Sequence, residues 1–352
     1  MNYEKCVLNL RHQKINEETE SYNMYVKYIP ETKEKGAVDS RQAKFSKNFL
    51  DMPPLNIKDK KNITLDELNQ IRSGFGCENF DMSQNIEVLC AVFNNVNVEI
   101  YRKKDIANDN PVIINIHGGG FFGGTVDVVR NSCKLLADRS CSTVISIDYD
   151  LSPEAKYPKA LNQCNSVIDY VVEHEKELKV DATRIVLMGD SAGGNLAAAC
   201  CLSSKTTNIV LQVLLYPLME LKPSEPLWSE DLYDIGDNED KEVKTFLIND
   251  IKNLNEVCIY TYINDEKELN DELVSPIKAK DYSLFPMTLI VSPEFDYLRF
   301  QAESFAKKLV ENGIDTILYR YKGMGHAFYE HLGEFPQAED CINEIAEAIM
   351  SL

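Results

Sequence analysis

Residues 184–194 read Arg184-Ile185-Val186-Leu187-Met188-Gly189-Asp190-Ser191-Ala192-Gly193-Gly194, and an alanine-rich run follows from Asn195 to Leu202. The apolar, β-branched first half predicts a strand, and the alanine-rich run predicts a helix. Between them stands Gly-x-Ser-x-Gly, with its glycines at 189 and 193. A serine on so sharp a strand-to-helix turn is held in a strained backbone conformation that lifts its hydroxyl above the sheet. Small neighbours let strand and helix approach each other there. The pattern also arises by chance in glycine- and serine-rich loops, so its weight comes from the flanking strand and helix. Together they predict an α/β sheet, acyl-transfer chemistry and Ser191 as nucleophile.

Working outward, strand patterns cover Ile86–Phe93 and Val96–Tyr101, paired across Asn94-Asn95, then Val112–Ile116, Thr143–Asp148, Arg184–Met188, Ile209–Tyr216, Met287–Ser292 and Asp315–Tyr321. Helical patterns cover Val128–Arg139, Lys159–Leu178, Ala192–Ser203, Phe300–Asn312 and Pro336–Met350. This alternation implies a mostly parallel central sheet with helices on both faces.

Two regions stand apart. Residues 1–80 are polar, rich in lysine and glutamate, and broken at Pro53-Pro54; Thr64-x-x-Glu67 is a capping box opening a helix over Leu65–Ile71. Residues 219–275 are charged and irregular, with the acidic cluster Asp237-Asn238-Glu239-Asp240. Trp228, Tyr233, Phe246, Leu247, Tyr260 and Tyr262 nevertheless supply side chains to bury, which argues against a disordered linker. Both regions are expected to form a cap over a catalytic domain made of residues 81–218 and 276–352.

A second motif, His117-Gly118-Gly119-Gly120, directly follows the Val112–Ile116 strand. Consecutive glycines let backbone amides turn into a cavity and hold the negative oxygen of a tetrahedral intermediate. The expected donors are Gly118, Gly119 and Gly120, with the amide of Ala192 after the nucleophile. Gly118-x-Gly120-x-x-Gly123 also matches a dinucleotide fingerprint, with Asp148 ending the next strand. That alternative needs a helix opening inside the motif, whereas Phe121-Phe122 fill its middle and the helix starts near Val128, after Thr125 and Asp127. It also leaves Ser191 without a role.

A serine nucleophile needs a base, and the chain has five histidines. His12 lies in the irregular N-terminal region, His174 on a polar helix end, and His117 ahead of the glycine loop. His326, in Gly323-Met324-Gly325-His326-Ala327-Phe328, follows a strand's carboxyl end, where open α/β sheets place their sites. His331 is the reserve. The base in turn needs a carboxylate to orient it, and Pro293-Glu294-Phe295-Asp296 offers Glu294 and Asp296. The spacing of His326 and His331 does not suit two metal ligands on one helix face, and neither a metal nor an organic cofactor is expected.

With these pieces in order, the chain resembles the hormone-sensitive-lipase family of α/β-hydrolase carboxylesterases, which includes bacterial acetyl esterases. The resemblance rests on His117–Phe121, Asp148-Tyr149-Asp150-Leu151-Ser152-Pro153-Glu154, Gly189–Gly194, Asp296-Tyr297-Leu298-Arg299 and Gly325–Phe328, spanning roughly residues 86 to 350. It implies Ser191, Asp296 and His326 as the catalytic triad and a cap built from an N-terminal segment plus an insertion. Pro293 stands where the family often has glycine, and Tyr149–Pro153 departs from the commoner Tyr-Arg-Leu-Ala-Pro; neither touches a catalytic atom. Hydrolysis of short-chain acyl esters through an acyl-enzyme is the implied activity. A catalytically silent small-molecule receptor on the same fold is the alternative, which the complete triad disfavours.

Composition, 44% hydrophobic, is that of a globular protein with a core to bury. The formal net charge is −19, from 56 acidic and 37 basic residues, which argues against nucleic acid and anionic membranes as partners. No apolar run approaches the roughly 20 residues of a membrane span. The start Met-Asn-Tyr-Glu-Lys-Cys lacks a cationic stretch followed by an apolar one, and ten cysteines occur without a Cys-x-x-Cys. A reducing, cytoplasmic location is therefore expected, and exposed edge strands of such a sheet can pair two copies into a homo-oligomer.

Overall fold

The computed structural model describes residues 1–13, 15–18, 23–50, 57, 59–223, 230–236 and 240–352. Pro53-Pro54, Trp228 and Asp237-Asn238-Glu239 lie outside the described residues. The strands are β1 (Ile15–Glu18), β2 (Asn23–Lys27), β3 (Ile86–Phe93), β4 (Val96–Lys103), β5 (Asn110–Ile116), β6 (Thr143–Asp148), β7 (Val180–Asp190), β8 (Ile209–Leu215), β9 (Met287–Phe295) and β10 (Thr316–Gly325). The helices are α1 (Tyr3–Arg11), α2 (Ser40–Leu50), α3 (Leu65–Arg72), α4 (Val126–Ser140), α5 (Lys159–Glu173), α6 (Glu175–Leu178), α7 (Ala192–Ser203), α8 (Lys241–Tyr262), α9 (Arg299–Glu311) and α10 (Pro336–Met350).

The strands form a 10-stranded sheet in the order β1-β2-β10-β9-β8-β7-β5-β6-β4-β3. Strands β5 to β10 run parallel, and β2 joins β10 in parallel as well. Among the described residues, β1, β3 and β4 add the antiparallel pairs. This is the mostly parallel sheet that the alternating sequence pattern predicts, and the α/β-hydrolase arrangement that the resemblance implies.

Side chains of successive strand residues point to opposite faces, so a sheet buried on both sides needs continuous apolar runs. Val112, Ile114 and Ile116 of β5 join Ile185 and Leu187 of β7 in one core, against α5, α7 and α9. Ile113 joins Val186, Met188, Val213 and Leu215 in a second core, under α4 and α10.

Register places the chemistry. Ile116 pairs with Gly189, so the loop after β5 and the turn after β7 leave adjacent strands at their carboxyl ends. The chain runs from β5 to β6 on one side and then crosses back to β7 on the other, which makes this the topological switch point where open sheets place ligands. Gly325 pairs with Phe295, so His326 and Asp296 emerge side by side from β10 and β9.

Several elements differ from the sequence expectation. Residues 1–80 contain α1, β1 and β2, and β2 extends the central sheet instead of standing apart from it. Its five residues are too few to show a period, and their pairing partner is some 290 residues away. The helix expected over Lys159–Leu178 breaks at His174, whose φ of −117° leaves the helical range, giving α5 and α6. The irregular region 219–275 holds α8, 22 residues long. The capping box at Thr64 and Glu67 is formed as expected. No helix among the described residues is long and apolar enough to cross a membrane.

Candidate active site

Ser191 sits between β7 and α7 with φ +53° and ψ −116°, a conformation that L-residues rarely adopt. Neighbouring geometry over-determines it. The Ser191 amide donates to the Leu215 carbonyl at 2.8 Å, and its own carbonyl accepts from the Asn195 and Leu218 amides. A Cβ on Gly193 would lie 2.0 Å from the Ile116 carbonyl oxygen, so only glycine fits where α7 meets β5.

His326 Nε2 lies 2.9 Å from Ser191 Oγ, and its Nδ1 lies 2.8 Å from Asp296 Oδ2. Asp296 is fully buried, and its second oxygen accepts the Leu298 amide at 2.9 Å, which fixes the carboxylate plane. With Nδ1 donating to Asp296, Nε2 is left as the acceptor facing the serine hydroxyl. The edge of Tyr216 packs on the His326 ring at 4.7 Å between centroids.

Glu294 takes no part in this line. It is buried, accepts from Lys322 Nζ at 2.7 Å and from the Gly323 amide at 2.9 Å, and so anchors the loop that carries His326. His331 stacks on Phe335 and is held by Glu334, where burial lowers its pKa; it does not meet Ser191. His174 stacks on Tyr170 at the end of α5.

The glycine loop needs one correction. The Gly118 amide donates to Asp190 Oδ1 at 2.9 Å, so it cannot also donate to a substrate oxygen. The amides of Gly119, Gly120 and Ala192 bond to no protein acceptor among the described residues. Gly119 and Gly120 have φ of +110° and +61°. Burial pushes the Asp190 carboxyl up to about 6, against the pull of the Gly118 N–H. Burial likewise lowers the His117 imidazole to about 4, so the neutral ring donates from Nδ1 to the Gly118 carbonyl at 2.7 Å. Tyr149 stacks on that ring and donates its hydroxyl to the His117 carbonyl at 2.9 Å. Helix α4 begins at Val126, beyond Gly123, so the glycine motif does not open a helix.

Residues far away in sequence support the site. Arg72, at the end of α3, donates to the Phe122 and Ser152 carbonyls and pairs with Glu154 through two hydrogen bonds. It thereby clamps the glycine loop to the Asp148–Glu154 stretch. Gln42 of α2 accepts the Gly325 amide at 3.1 Å, next to His326. Asn195 of α7 donates to the Leu218 and Val274 carbonyls at the two ends of the 219–275 region. Only the Arg72–Glu154 charge pair has a sequence signal, in the Pro-Glu that closes the Asp148–Glu154 stretch. Among the described residues no group of three or more His, Cys, Asp or Glu is gathered as a metal site.

Residues 113–330 match the family described as alpha/beta hydrolase fold. The chain is similar to an arylesterase of Saccharolobus solfataricus, 32% identical over 222 residues, which cover 62% of this chain and 69% of that one. It is 29% identical over 252 residues to an acetyl esterase of Salmonella dublin, covering 67% and 71% of the two chains. Among solved structures, carboxyl esterase 2 of the fungus Tuber melanosporum superposes with a TM-score of 0.73 at 25% identity, over 89% of this chain and 99% of that one. The chain belongs to the alpha/beta hydrolase fold family, within the hormone-sensitive-lipase group of carboxylic ester hydrolases.

Proposed function

We propose that this chain is a serine carboxylesterase that hydrolyses short-chain acyl esters through an acyl-enzyme on Ser191. The observation that carries the reading is the continuous line from Asp296 through His326 to Ser191, at 2.8 and 2.9 Å, ending on a serine of positive φ.

His326 Nε2 takes the hydroxyl proton as Ser191 Oγ attacks the ester carbonyl. The carbonyl oxygen gathers negative charge and is met by the amides of Gly119, Gly120 and Ala192. When the tetrahedral intermediate collapses, the bond to the alcohol oxygen breaks and His326 returns the proton to it. Water then attacks the acyl-enzyme by the same route, releasing the acid and restoring Ser191. Asp296 holds the imidazole tautomer and stabilises the imidazolium throughout.

The cap assignment belongs to this reading. Helices α2 and α3 from residues 1–80 and α8 from residues 219–275 are its parts, over a catalytic domain of residues 81–218 and 276–352. Packing of α8 against the glycine loop favours small acyl groups: Phe121 stacks on Tyr262 at 3.7 Å, and Cys258 lies against Gly120. The acetyl esterase named above is consistent with that preference. Ten unpaired cysteines fit a reducing, cytoplasmic setting.

Hydrolysis of p-nitrophenyl esters of increasing chain length, run beside Ser191→Ala, tests the reading. Turnover fastest on acetyl or butyryl ester and abolished by the substitution is expected. Faster cleavage of long-chain esters sinks the acyl preference, and turnover that survives Ser191→Ala sinks the nucleophile.

A further inference from the structure

Resting on that reading of Ser191 and His326, we propose that Asp250 of the inserted helix α8 sets the charge preference of the substrate site, which favours esters bearing an ammonium group near the ester bond.

Helix α8 spans the two halves of the site. Leu247 Cδ2 lies 2.5 Å from the position a Cβ on Gly325 would take, next to His326. Cys258 Sγ lies 2.7 Å from the equivalent position on Gly120 in the oxyanion loop. At about 100° per residue, Leu247, Ile251, Leu254 and Cys258 share one stripe, and Asp250 falls on its flank. The Asp250 carboxyl therefore stands on the stretch of helix between the base and the oxyanion loop.

Its surroundings fit a substrate-facing group. Asp250 is exposed to solvent, yet enough protein surrounds it that desolvation raises its pKa. A group both accessible and desolvated stands in a recess, not on a convex surface. His326 lies within electrostatic reach of it, and no lysine or arginine among the described residues forms an ion pair with it. The other acids near His326 are already engaged or enclosed. Asp296 holds the imidazole, Asp190 holds the Gly118 amide, and Glu330 is pushed well above the ordinary carboxylate range by burial. Asp250 thus leaves the mouth of the site with an uncompensated negative group, in a chain of net charge −19. A cationic substrate supplies the missing counter-charge, and a substrate carboxylate is repelled.

The test compares acetylcholine with its uncharged isostere, 3,3-dimethylbutyl acetate, at low ionic strength, in the native chain, Asp250→Asn and Asp250→Glu. The native chain is expected to favour the cationic ester. The ratio of the two kcat/KM values should fall roughly tenfold in Asp250→Asn and persist in Asp250→Glu. Tetramethylammonium should inhibit p-nitrophenyl acetate hydrolysis by the native chain, and about tenfold more weakly in Asp250→Asn. Both esters cleaved with a ratio indifferent to Asp250→Asn would overturn the proposal and leave the esterase reading standing. A folded native chain that cleaves no ester at all would overturn the esterase reading, and the proposal with it.

Discussion

Asp190 Oδ1 accepts the Gly118 amide at 2.9 Å, tying the nucleophile turn to the glycine loop across adjacent strands. Two motifs 72 residues apart are thereby set in one frame. A Cβ on Gly118 would lie 2.3 Å from Asp190 Oδ2, so the contact also requires glycine. Asp190→Ala leaves the Gly118 N–H without its partner, a loss of about 1–3 kcal/mol for a buried donor. Because the loop then relaxes away from the oxyanion, kcat should fall roughly 10- to 100-fold with little change in KM. The Asp190 carboxyl is raised to about 6, so it takes up a proton as pH falls through that value and becomes a weaker acceptor. Asp190→Asn should keep more activity than the alanine variant and lose the component of the acid limb near pH 6. Identical acid limbs would show that Asp190 does not titrate in the working enzyme.

Asp296 and Glu294 lie two residues apart at the end of β9 but serve different ends. Asp296→Asn should lower kcat by about four orders of magnitude, because the amide favours the wrong imidazole tautomer. Glu294→Gln keeps an acceptor for the Gly323 amide and weakens only the pair with Lys322, so it should lower kcat less than about tenfold. Steady-state kinetics on p-nitrophenyl acetate separate the two, and equal losses would contradict the assignment of Asp296.

Gln42 reaches the base loop from the N-terminal region. Gln42→Ala removes the acceptor of the buried Gly325 amide and should reduce kcat roughly three- to tenfold while the fold survives. Gln42→Glu retains an acceptor and should recover most of the loss. Circular dichroism beside the rate measurements distinguishes a mispositioned His326 from an unfolded chain.

Lys27 of β2 is buried against α10, with its Nζ 2.5 Å from Glu344 and 3.1 Å from Asp340. Tyr319 and Tyr321 donate to the same two carboxylates. Burial raises the Asp340 carboxyl to about 6 despite Lys27, because desolvation outweighs the attraction. The native state therefore holds a proton that the unfolded chain releases near pH 4. This group's contribution to stability is full below that pH and is lost as pH rises through 6, by at most about 3 kcal/mol. Urea midpoints at pH 4.5 and 7 should show this downward slope, reduced in Asp340→Asn. Lys27→Ala, which strands two buried carboxylates, should destabilise the chain by several kcal/mol at pH 7.

Local features were legible where adjacent residues carry the physics. The alanine run of α7 and the amphipathic period of α10 place both helices at their observed bounds. The glycines around Ser191 predict a turn that only small residues permit. Ser191 and His326 could be picked because each follows a strand's carboxyl end, whereas strand position left Glu294 and Asp296 open and the family resemblance alone preferred Asp296. By contrast, β2 offers five residues without a period, and its place in the sheet depends on β10. Helix α8 was hidden by charged and asparagine-rich composition, although Leu247, Ile251, Leu254 and Cys258 keep a helical spacing.

The amino-acid sequence by itself determined the alternation of strand and helix, the strained serine and the order of nucleophile, acid and base, because backbone preference and side-chain period act between near neighbours. Only the tertiary structure decided which glycine amides face the reacting oxygen, which of two acids meets His326, and that Arg72 and Gln42 reach the site. Those relations are hydrogen bonds and charges between residues far apart in the chain, whose distances exist only once strand register and helix packing have set them.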